Sequence, residues 1–252
     1  MMSYSTARNH TSQKKGGLAV LCPHRITIIT GHYGTGKTEF AVNLALHMAQ
    51  RGDPVTLADL DIVNPYFRSR ERRDLLTANG VSLISSSQAC SDADVPSLPP
   101  QLHAIMDDRR ITGILDIGGD KVGARVLARY RPRLIREDYQ LLYVLNANRP
   151  EVRDVSSAIT YLRDIESVTG LRCFGIVNNT HLCGETTPED VRKGAALAMS
   201  VSEETGIPIV CHVAHEDHIS ALSDLREPLF PIQIRMKKPW EYPTITGRRS
   251  PK

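Results

Sequence analysis

The chain lacks any apolar run close to the roughly 20 residues that a membrane-spanning helix needs. The apolar stretch LAVLC near its start is also too short for the core of a signal peptide. None of its five cysteines stands in a CxxC pair, which argues against a structural zinc or iron–sulfur site and favours reduced thiols in a cytoplasmic protein. Its net charge of +3 is too small to indicate nucleic-acid binding by itself.

What is present is an alternation of short apolar runs with patterns of helical period. Because the runs are continuous, they predict strands buried on both faces, at 25–30, 54–60, 81–85, 111–117, 139–147, 173–179 and 207–214. Apolar spacing and capping residues predict helices between them, at Phe40, Leu44 and Met48 before Gly52, at Val152, Val155, Ile159 and Leu162 after Pro150, and from Thr187, Pro188 and Asp190 to Gly206. This order predicts an α/β fold with a single doubly wound, mostly parallel sheet in three αβα layers, and ligands at the carboxyl ends of its strands.

The predicted domain covers residues 24–236, because no repeat or linker interrupts this range. Residues 1–23 are mostly polar and are predicted to form a mobile leader. Residues 237–252 contain three prolines and have no helical period. We therefore predict an irregular tail there and no amphipathic membrane anchor.

A glycine-rich stretch, GHYGTGKT at 31–38, matches the GxxxxGK[ST] pattern of a phosphate-binding loop, with a predicted strand before it and a predicted helix after it. In such a loop the backbone N–H groups surround the phosphates, and the helix N-terminus adds partial positive charge. Lys37 is predicted to reach the β and γ oxygens, and the Thr38 hydroxyl to bind Mg²⁺. The predicted nucleotide contacts here are Gly31, His32, Tyr33, Gly34, Thr35, Gly36, Lys37, Thr38 and Glu39.

Three aspartates follow neighbouring predicted strands. LADLDIVNP places Asp59 and Asp61 at one strand end, and GILDIGGD places Asp116 at another. Asp116 suits the carboxylate that bonds Thr38 or a Mg²⁺-bound water, and Gly119 completes a DxxG whose N–H can sense a γ-phosphate. One aspartate at a strand end is often only a solvated cap, but three behind a phosphate loop favour a site. The predicted catalytic residues are Lys37, Asp61 and Asp116, and the predicted Mg²⁺ ligands, some through water, are Thr38, Asp61 and Asp116.

These motifs resemble the MinD/ParA group of P-loop ATPases, within the class that also holds the nitrogenase iron protein and the CobQ/CobB amidoligases. The residues that carry the resemblance are the loop, Asn43 six residues after its lysine, the DxD and the later DxxG, and it covers roughly residues 25–220. It implies ATP binding, Mg²⁺ and a homodimer formed across the nucleotides. By position it also implies that Asp61 orients the attacking water and that residues 62–70 form the first switch segment.

The sequence departs from that pattern at His32, where the group has a signature lysine that reaches the partner's nucleotide across the dimer. Histidine is near neutral at pH 7 and is a poor substitute for a fixed cation at the γ-phosphate. One hypothesis is that an arginine of FRSRERR replaces that lysine: Arg68, Arg70, Arg72 or Arg73. The alternative, which the nearby Glu71 and Asp74 favour, is a solvated helix face with paired charges.

The strand end that would face the base reads VNNTHL and lacks the aspartate of the NKxD pattern common in guanine-specific proteins. Asn178 and Asn179 are predicted to contact the nucleotide, since an asparagine can pair with the edge of adenine. The resemblance also implies an asparagine for adenine at this strand end, which favours ATP over GTP. The alternative is that Asn178 only caps the strand.

Two further clusters admit both a functional and a structural interpretation. CHVAHEDH (211–218) brings a cysteine and three histidines together, but neighbouring side chains of a strand point to opposite faces. A core strand leading into a loop is therefore favoured over a transition-metal site, and the resemblance implies that this loop lies beside the base. The five arginines of 125–138 could dock an acidic partner or DNA, but the acids near them favour a solvated face.

Three functions remain open from the sequence. The leading one is a slow, Mg²⁺-dependent ATPase that acts as a nucleotide-dependent switch and is read by a protein partner. The second is phosphotransfer to a small metabolite, as in the amidoligase and dethiobiotin-synthesising relatives, for which 85–100 is the only long polar segment available to hold an acceptor. The third is a nucleotide-binding module that does not hydrolyse, which His32 favours.

Overall fold

The computed structural model describes residues 21, 24–61, 69–85 and 102–236. The predicted tail and all of the predicted leader except Leu21 lie outside these residues, as do residues 62–68 and 86–101. Leu21 is buried, and its carbonyl accepts a hydrogen bond of 2.9 Å from the Gln140 side chain. This one residue of the predicted leader therefore belongs to the core.

The core is built on a sheet whose strands are β1 (Ile26–Thr30), β2 (Val55–Leu60), β3 (Ser82–Ser85), β4 (Thr112–Ile117), β5 (Tyr139–Leu145), β6 (Gly175–Asn178), β7 (Ile209–His215) and β8 (Leu229–Ile232). Their spatial order is β3-β2-β4-β1-β5-β6-β7-β8, and every neighbouring pair is parallel. The chain adds β2 to β4 on one side of β1 and β5 to β8 on the other. Open α/β sheets bind ligands beside such a reversal point.

The helices of the described residues are α1 (Lys37–Ala49), α2 (Arg73–Ala78), α3 (Leu102–Asp107), α4 (Lys121–Leu134), α5 (Val155–Thr169) and α6 (Pro188–Thr205). Short 3₁₀ turns cover Ser69–Arg72, Pro150–Val152, Cys183–Glu185 and Glu216–Leu222. The predicted capping box at the start of α6 is present, because the Thr187 hydroxyl and the Asp190 carboxylate each bond the other's backbone N–H. Among the described residues, no helix has both the length and the apolar character needed to cross a membrane.

The sheet is covered on both faces, since successive strand residues point to opposite sides. Ile29 of β1 packs in one cluster with Phe40 and Leu44 of α1. Its neighbour Ile28 packs in another cluster with Ile105 of α3. The predicted α/β fold with one doubly wound parallel sheet in three layers is therefore confirmed.

All seven predicted strands are present, and β8 is an eighth that the sequence analysis missed. Its sequence, Leu-Phe-Pro-Ile, is short and contains Pro231, which cannot donate to a ladder. Such a residue is tolerated here because β8 lies at the edge of the sheet. One predicted helix begins later than expected, since Val152 lies in a 3₁₀ turn and Asp154 caps α5.

Candidate functional site

The loop between β1 and α1 has a backbone that glycine adopts more readily than other residues. Gly34 and Gly36 have φ angles of +76° and +78°, in the left-handed region. A Cβ on Gly36 would lie 2.4 Å from the side-chain nitrogen of Asn179, which follows β6. A Cβ on Gly31 would lie 2.4 Å from the carbonyl oxygen of Val144 in β5. The loop therefore closes tightly onto its neighbouring strand ends.

The carbonyl oxygen of His32 collects three donors inside this loop. It accepts from the Thr35 N–H at 3.2 Å, the Thr35 hydroxyl at 2.9 Å and the Lys37 ammonium at 3.1 Å. Burial lowers the pKa of Lys37, and three aspartates oppose that effect by favouring its charged form: Asp116, Asp61 and Asp120. The lysine thus lies between the loop backbone and the acids, where a phosphate group would meet both.

Asp116 lies at the buried end of β4. Its Oδ2 accepts hydrogen bonds from the Thr38 hydroxyl at 2.7 Å and the Ser69 hydroxyl at 3.3 Å, whereas its Oδ1 has no hydrogen-bond partner. Burial, followed by the negative charge of Asp59, raises the pKa of Asp116 to about 7. The structure thus brings together Thr38 and Asp116, which lie 78 positions apart in the chain.

Asp59 and Asp61 complete the acidic cluster from β2. Asp59 is the register partner of Asp116, so the two carboxyl groups are neighbours. Burial raises the pKa of Asp59 to about 6, although the Arg70 guanidinium, 3.9 Å away, opposes that effect. A carboxylate oxygen of Asp61 lies 3.1 Å from the position that a Cβ on Gly118 would occupy. A larger residue than glycine at 118 would therefore press on Asp61.

This cluster fits a Mg²⁺ ion. Thr38, Asp61 and Asp116 offer the hard oxygen donors that Mg²⁺ prefers. One buried oxygen each of Asp59 and Asp116 has no hydrogen-bond partner, and a nearby cation would offset the free-energy cost of that burial. Within the described residues, no three His, Cys, Asp or Glu side chains are arranged to hold a metal alone.

Gly119 lies directly against the loop. A Cβ on Gly119 would lie 2.6 Å from the backbone nitrogen of Tyr33 and 2.8 Å from the ammonium nitrogen of Lys37. Because any side chain would displace these groups, this position of the DxxG motif requires glycine. The motif thus contacts the loop at its lysine.

A cavity of about 680 Å³ runs from the loop along the strand ends towards β7 and β8. At one end it is lined by Lys37, Thr38 and Asp61, and in the middle by Arg149, Asn179 and His181. The far end is lined by Val213, Ala214, His215, Asp217, His218, Ile232, Ile234 and Met236. This volume is within the range of pockets that hold small ligands and cofactors.

Comparison with known proteins supports the fold. No family model and no curated protein matches the chain. Among solved structures it is similar to the cell division protein FtsY of Thermotoga maritima, with a TM-score of 0.53 and 19% identity over 73% of this chain and 59% of that chain. FtsY of Mycoplasma mycoides gives a TM-score of 0.48 and 17% identity over 73% and 58% of the two chains. The signal recognition particle 54 kDa protein of Aeropyrum pernix, solved with GDP, gives 0.46 and 22% over 73% and 40%.

The chain thus spans less than two thirds of the length of each of these three proteins. At such identities the likeness concerns the fold alone. The shared fold is a doubly wound parallel sheet with helices on both faces. The predicted phosphate-binding loop of residues 31–38, called the P-loop below, lies between β1 and α1 of this fold.

Asn179 supports the P-loop and faces the cavity. Its side-chain nitrogen donates to the carbonyl oxygens of Thr35 at 2.9 Å and Gly36 at 3.2 Å. Two carbonyl groups of the loop thereby point towards Asn179. This predicted contact residue therefore lies beside the expected position of the nucleotide.

Asn178 lies elsewhere, fully buried between β6, β7 and α6. Its nitrogen donates to the Val191 carbonyl at 2.9 Å and lies 3.1 Å from His212 Nδ1. Its oxygen accepts from the Thr180 N–H at 3.1 Å and the Thr180 hydroxyl at 2.8 Å. Because this amide is fully engaged inside the protein, the predicted contact of Asn178 with the base must be corrected: it joins β6 to its neighbours.

His32 is turned towards its own chain. Its ring packs edge-on against Tyr161 of α5, with ring centroids 5.4 Å apart.

Of the four arginines proposed to replace the signature lysine, Arg68 lies outside the described residues. Of the other three, only Arg73 is exposed, and it donates a hydrogen bond of 3.1 Å to the Ser85 hydroxyl. Arg72 is half-buried near Glu39, where its charge acts to lower the pKa of that carboxyl.

Glu39 and Asn43 hold the segment that follows β8. The Glu39 carboxylate accepts the N–H groups of Arg235 at 2.7 Å and Met236 at 3.0 Å. Asn43 exchanges two hydrogen bonds with the backbone of Gln233, at 3.0 and 3.1 Å. Burial raises the pKa of Glu39. Glu39 lines the cavity, and its carboxylate fixes one wall of it. Its predicted contact with the nucleotide stays a prediction.

The CHVAHEDH segment is a core strand that leads into a loop, as the sequence favoured. Cys211 and His212 are buried in β7, and His212 Nε2 lies 3.0 Å from the Glu227 carboxylate. His215 and His218 line the far end of the cavity.

The five arginines of 125–138 are all exposed, and they lie on α4 and just after it.

Two cavity residues were missed by the sequence analysis. Arg149 donates from Nε to the Gly34 carbonyl at 2.7 Å. His181 has a buried Nε2 without a hydrogen-bond partner, while its Nδ1 accepts the Cys183 N–H at 3.2 Å. Burial, followed by the charge of Arg149, lowers the pKa of His181 to about 4. The sequence did hold one signal for them, which is their position just after a predicted strand. Arg149 follows β5, which is next to β1 in the sheet, and His181 follows β6, which is next to β5.

Proposed function

We propose that this chain is a Mg²⁺-dependent ATP-binding protein that hydrolyses ATP slowly and acts as a nucleotide-dependent switch for a protein partner. The observation that carries the proposal is the 2.7 Å hydrogen bond between the Thr38 hydroxyl and the buried Asp116 carboxylate, at the foot of the P-loop. A chance glycine-rich turn would not need this pairing. It is the arrangement expected of a Mg²⁺-triphosphate site.

Each group at this end of the cavity has a proposed role. Lys37 binds the β- and γ-phosphate oxygens, and Asp61, which lines the cavity, orients the water that attacks the γ-phosphate. Thr38, Asp61 and Asp116 hold Mg²⁺, directly or through water. When bound, the ion would neutralise charge on the phosphates.

The switch proposal rests on Gly119 and its contact with Lys37 and the backbone of Tyr33. A γ-phosphate at Lys37 would be sensed by the DxxG segment, and α4, which begins at Lys121, would carry that state to a partner. The other proposed switch, residues 62–70, lies mostly outside the described residues.

ATP is proposed over GTP because the loop after β6 lacks an aspartate at the place that NKxD would require. Asn178 has no part in this proposal, since its amide is paired internally. Asn179, His181 and Arg149 are among the polar residues that line the middle of the cavity.

The test is phosphate release from ATP and from GTP with Mg²⁺, across a range of protein concentrations, beside a Lys37→Ala control. We expect slow release from ATP that the control abolishes. Specific activity that rises with protein concentration would support the homodimer implied by the resemblance. Release no faster than in the control, together with tight ATP binding, would overturn the hydrolysis proposal.

That last outcome would favour a second candidate, a nucleotide-binding module that does not hydrolyse. The observation behind it is that His32, which stands where the resembling group has its signature lysine, packs edge-on against Tyr161. The phosphotransfer alternative has no such observation, because residues 86–100 of its proposed acceptor segment lie outside the described residues.

A further inference from the structure

The order of the strands sets the order of chemical groups along the cavity. The acidic cluster follows β2 and β4, the P-loop follows β1, Arg149 comes after β5, His181 after β6, and the far wall after β7. If the phosphates lie at the loop and the acids, the ribose and the base must extend over β5, β6 and β7. Arg149 then lies where the nucleoside begins.

Backbone contacts hold Arg149 in this place. Its N–H donates to the Asn146 carbonyl at 3.0 Å, and the buried Asn146 side chain accepts the N–H groups of Asn148 at 3.0 Å and His181 at 3.3 Å. Pro150 follows and begins a 3₁₀ turn. The turn that presents Arg149 is therefore tied to the loop after β6.

The guanidinium lies against the P-loop glycine. Its Nε donates to the Gly34 carbonyl at 2.7 Å, and its central carbon is 2.7 Å from the position that a Cβ on Gly34 would take. The group thus occupies the space of the missing side chain. Its position is fixed before any ligand binds, which lowers the entropic cost of a contact.

The outer part of this guanidinium has no internal partner within the described residues. No carboxylate of those residues lies within 4 Å of it, and its only hydrogen bond there is the one from Nε. The neighbouring His181 is neutral at pH 7, because its pKa is lowered to about 4. Arg149 therefore offers a planar cation to the cavity, a group that binds well to aromatic faces.

We infer that Arg149 recognises the nucleoside part of the bound nucleotide: its guanidinium packs on the purine base and ribose, while its Nε holds the P-loop at Gly34. The inference rests on the proposed nucleotide-binding function and deepens it. It gives one side chain two separable tasks, since Nε serves the loop and the terminal nitrogens serve the ligand.

Substitutions can separate the two tasks. In Arg149→Gln the amide nitrogen takes the place of Nε, so the donor to Gly34 is kept while the charge and the planar end are lost. Arg149→Met places a methyl group there and loses both, whereas Arg149→Lys keeps only the charge. Binding of ATP and of inorganic tripolyphosphate, each with Mg²⁺, is measured for wild type and all three variants, with melting temperatures to check folding.

We expect Arg149→Gln to weaken ATP binding roughly tenfold and to change tripolyphosphate binding by less than about twofold. Arg149→Met should weaken both, because the loop loses its brace. Unchanged ATP affinity in Arg149→Gln would overturn the inference, and so would an equal loss for ATP and tripolyphosphate, which would assign the charge to the phosphates.

The proposed function is tested separately by Lys37→Ala. If wild type binds ATP no better than this variant, the proposed function fails and the inference fails with it. If wild type binds ATP well and Arg149→Gln matches it, only the inference fails.

Discussion

The two ends of the cavity are built on different physical principles. At the acidic end, Asp59 and Asp116 are buried side by side, and burial raises the pKa of both carboxyl groups. The nucleoside end is the part of the cavity from Arg149 and His181 to the far wall. There a fixed guanidinium lies beside a histidine whose pKa is lowered by burial, and residues of β7, β8 and the segments after them, several of them apolar, form the wall. The first end is poised for a cation and the second for a flat, largely neutral ligand.

This difference fits the proposal that one sheet edge holds both halves of a nucleotide. The acidic end gathers negative charge that is costly without an ion, so binding there should depend on Mg²⁺. The nucleoside end offers one planar cation, the Arg149 guanidinium, beside apolar residues, so binding there should depend on shape and stacking. Variants at the two ends should therefore respond differently to Mg²⁺ and to the base.

The largest effect is expected at Gly36, which lies between the two ends. Gly36→Ala combines a φ of +78° with a Cβ only 2.4 Å from the Asn179 nitrogen, so the P-loop cannot close. We expect ATP affinity to fall on the order of a hundredfold or more. Gly80→Ala is the matched control, because its φ of +77° carries the same strain but nothing lies within 4 Å of the added Cβ. Equal ATP binding by both variants would contradict the packing argument.

The next largest effect concerns the acidic end, where the free energy of unfolding should depend on pH and on Mg²⁺. Between about pH 4 and pH 7 the folded protein retains the proton of Asp116 that the unfolded chain has released, so without metal its free energy of unfolding falls as the pH rises through this window. Asp116→Asn removes that loss and should be more stable than wild type at pH 7 by about 2 kcal/mol in a chelator.

Chemical denaturation from pH 4 to pH 8, with and without Mg²⁺, measures this difference. Mg²⁺ should stabilise wild type and have little effect on Asp116→Asn. Asp74→Asn, at an exposed position, is the control for a lost surface charge. A wild-type stability that rises with pH relative to Asp116→Asn in the chelator would show that the carboxyl is stabilised in its charged form.

The two neighbouring asparagines sharpen the comparison further. Asn178→Ala leaves buried donors and acceptors unpaired and should lower the free energy of unfolding by about 2–3 kcal/mol, with no change in the preference for ATP over GTP. Asn179→Ala should cost less stability but weaken ATP binding, because Thr35 and Gly36 lose their brace. Calorimetry and nucleotide titration of both variants measure the contrast, and a changed base preference in Asn178→Ala would restore the original prediction.

The smallest effect is expected at the wall that Glu39 fixes. Glu39→Gln leaves one acceptor oxygen for two backbone donors, Arg235 and Met236, and should loosen the segment after β8 at a cost of about 1 kcal/mol. ATP affinity should fall only a few-fold. Glu189→Gln, on the exposed start of α6, is the control in the same titration. A loss as large as that of Gly36→Ala would mean that Glu39 contacts the nucleotide directly.

The acidic end could be read from the sequence because its residues stand in short motifs. The spacing of GHYGTGKT, DLD and DIGG each predicts a strand end, and parallel strand ends meet at one edge. The helix caps at Thr187 and Gly206 were likewise local signals, and both are present. Local chemistry of this kind survives folding because it depends on neighbours in the chain.

The nucleoside end could not be read in the same way. Arg149 lies 115 positions from the Gly34 carbonyl that it holds, and Arg235 lies 196 positions from Glu39. Asn178 and Asn179 are neighbouring residues of the same type, and the sequence alone does not distinguish them. Because side chains alternate along a strand, Asn178 points into the core and Asn179 points to the P-loop. Such differences depend on which segments meet across the sheet.

Hydrophobic period and motif spacing are local properties, and they were enough to predict buried parallel strands that alternate with helices and a P-loop beside three aspartates at one sheet edge. The packing of His32 on Tyr161, the internal hydrogen bonds of Asn178 and the contact of Arg149 with Gly34 became visible only in the folded chain. These outcomes follow from the strand order, which places β5 and β6 beside the loop, and strand order is set by packing of the whole chain.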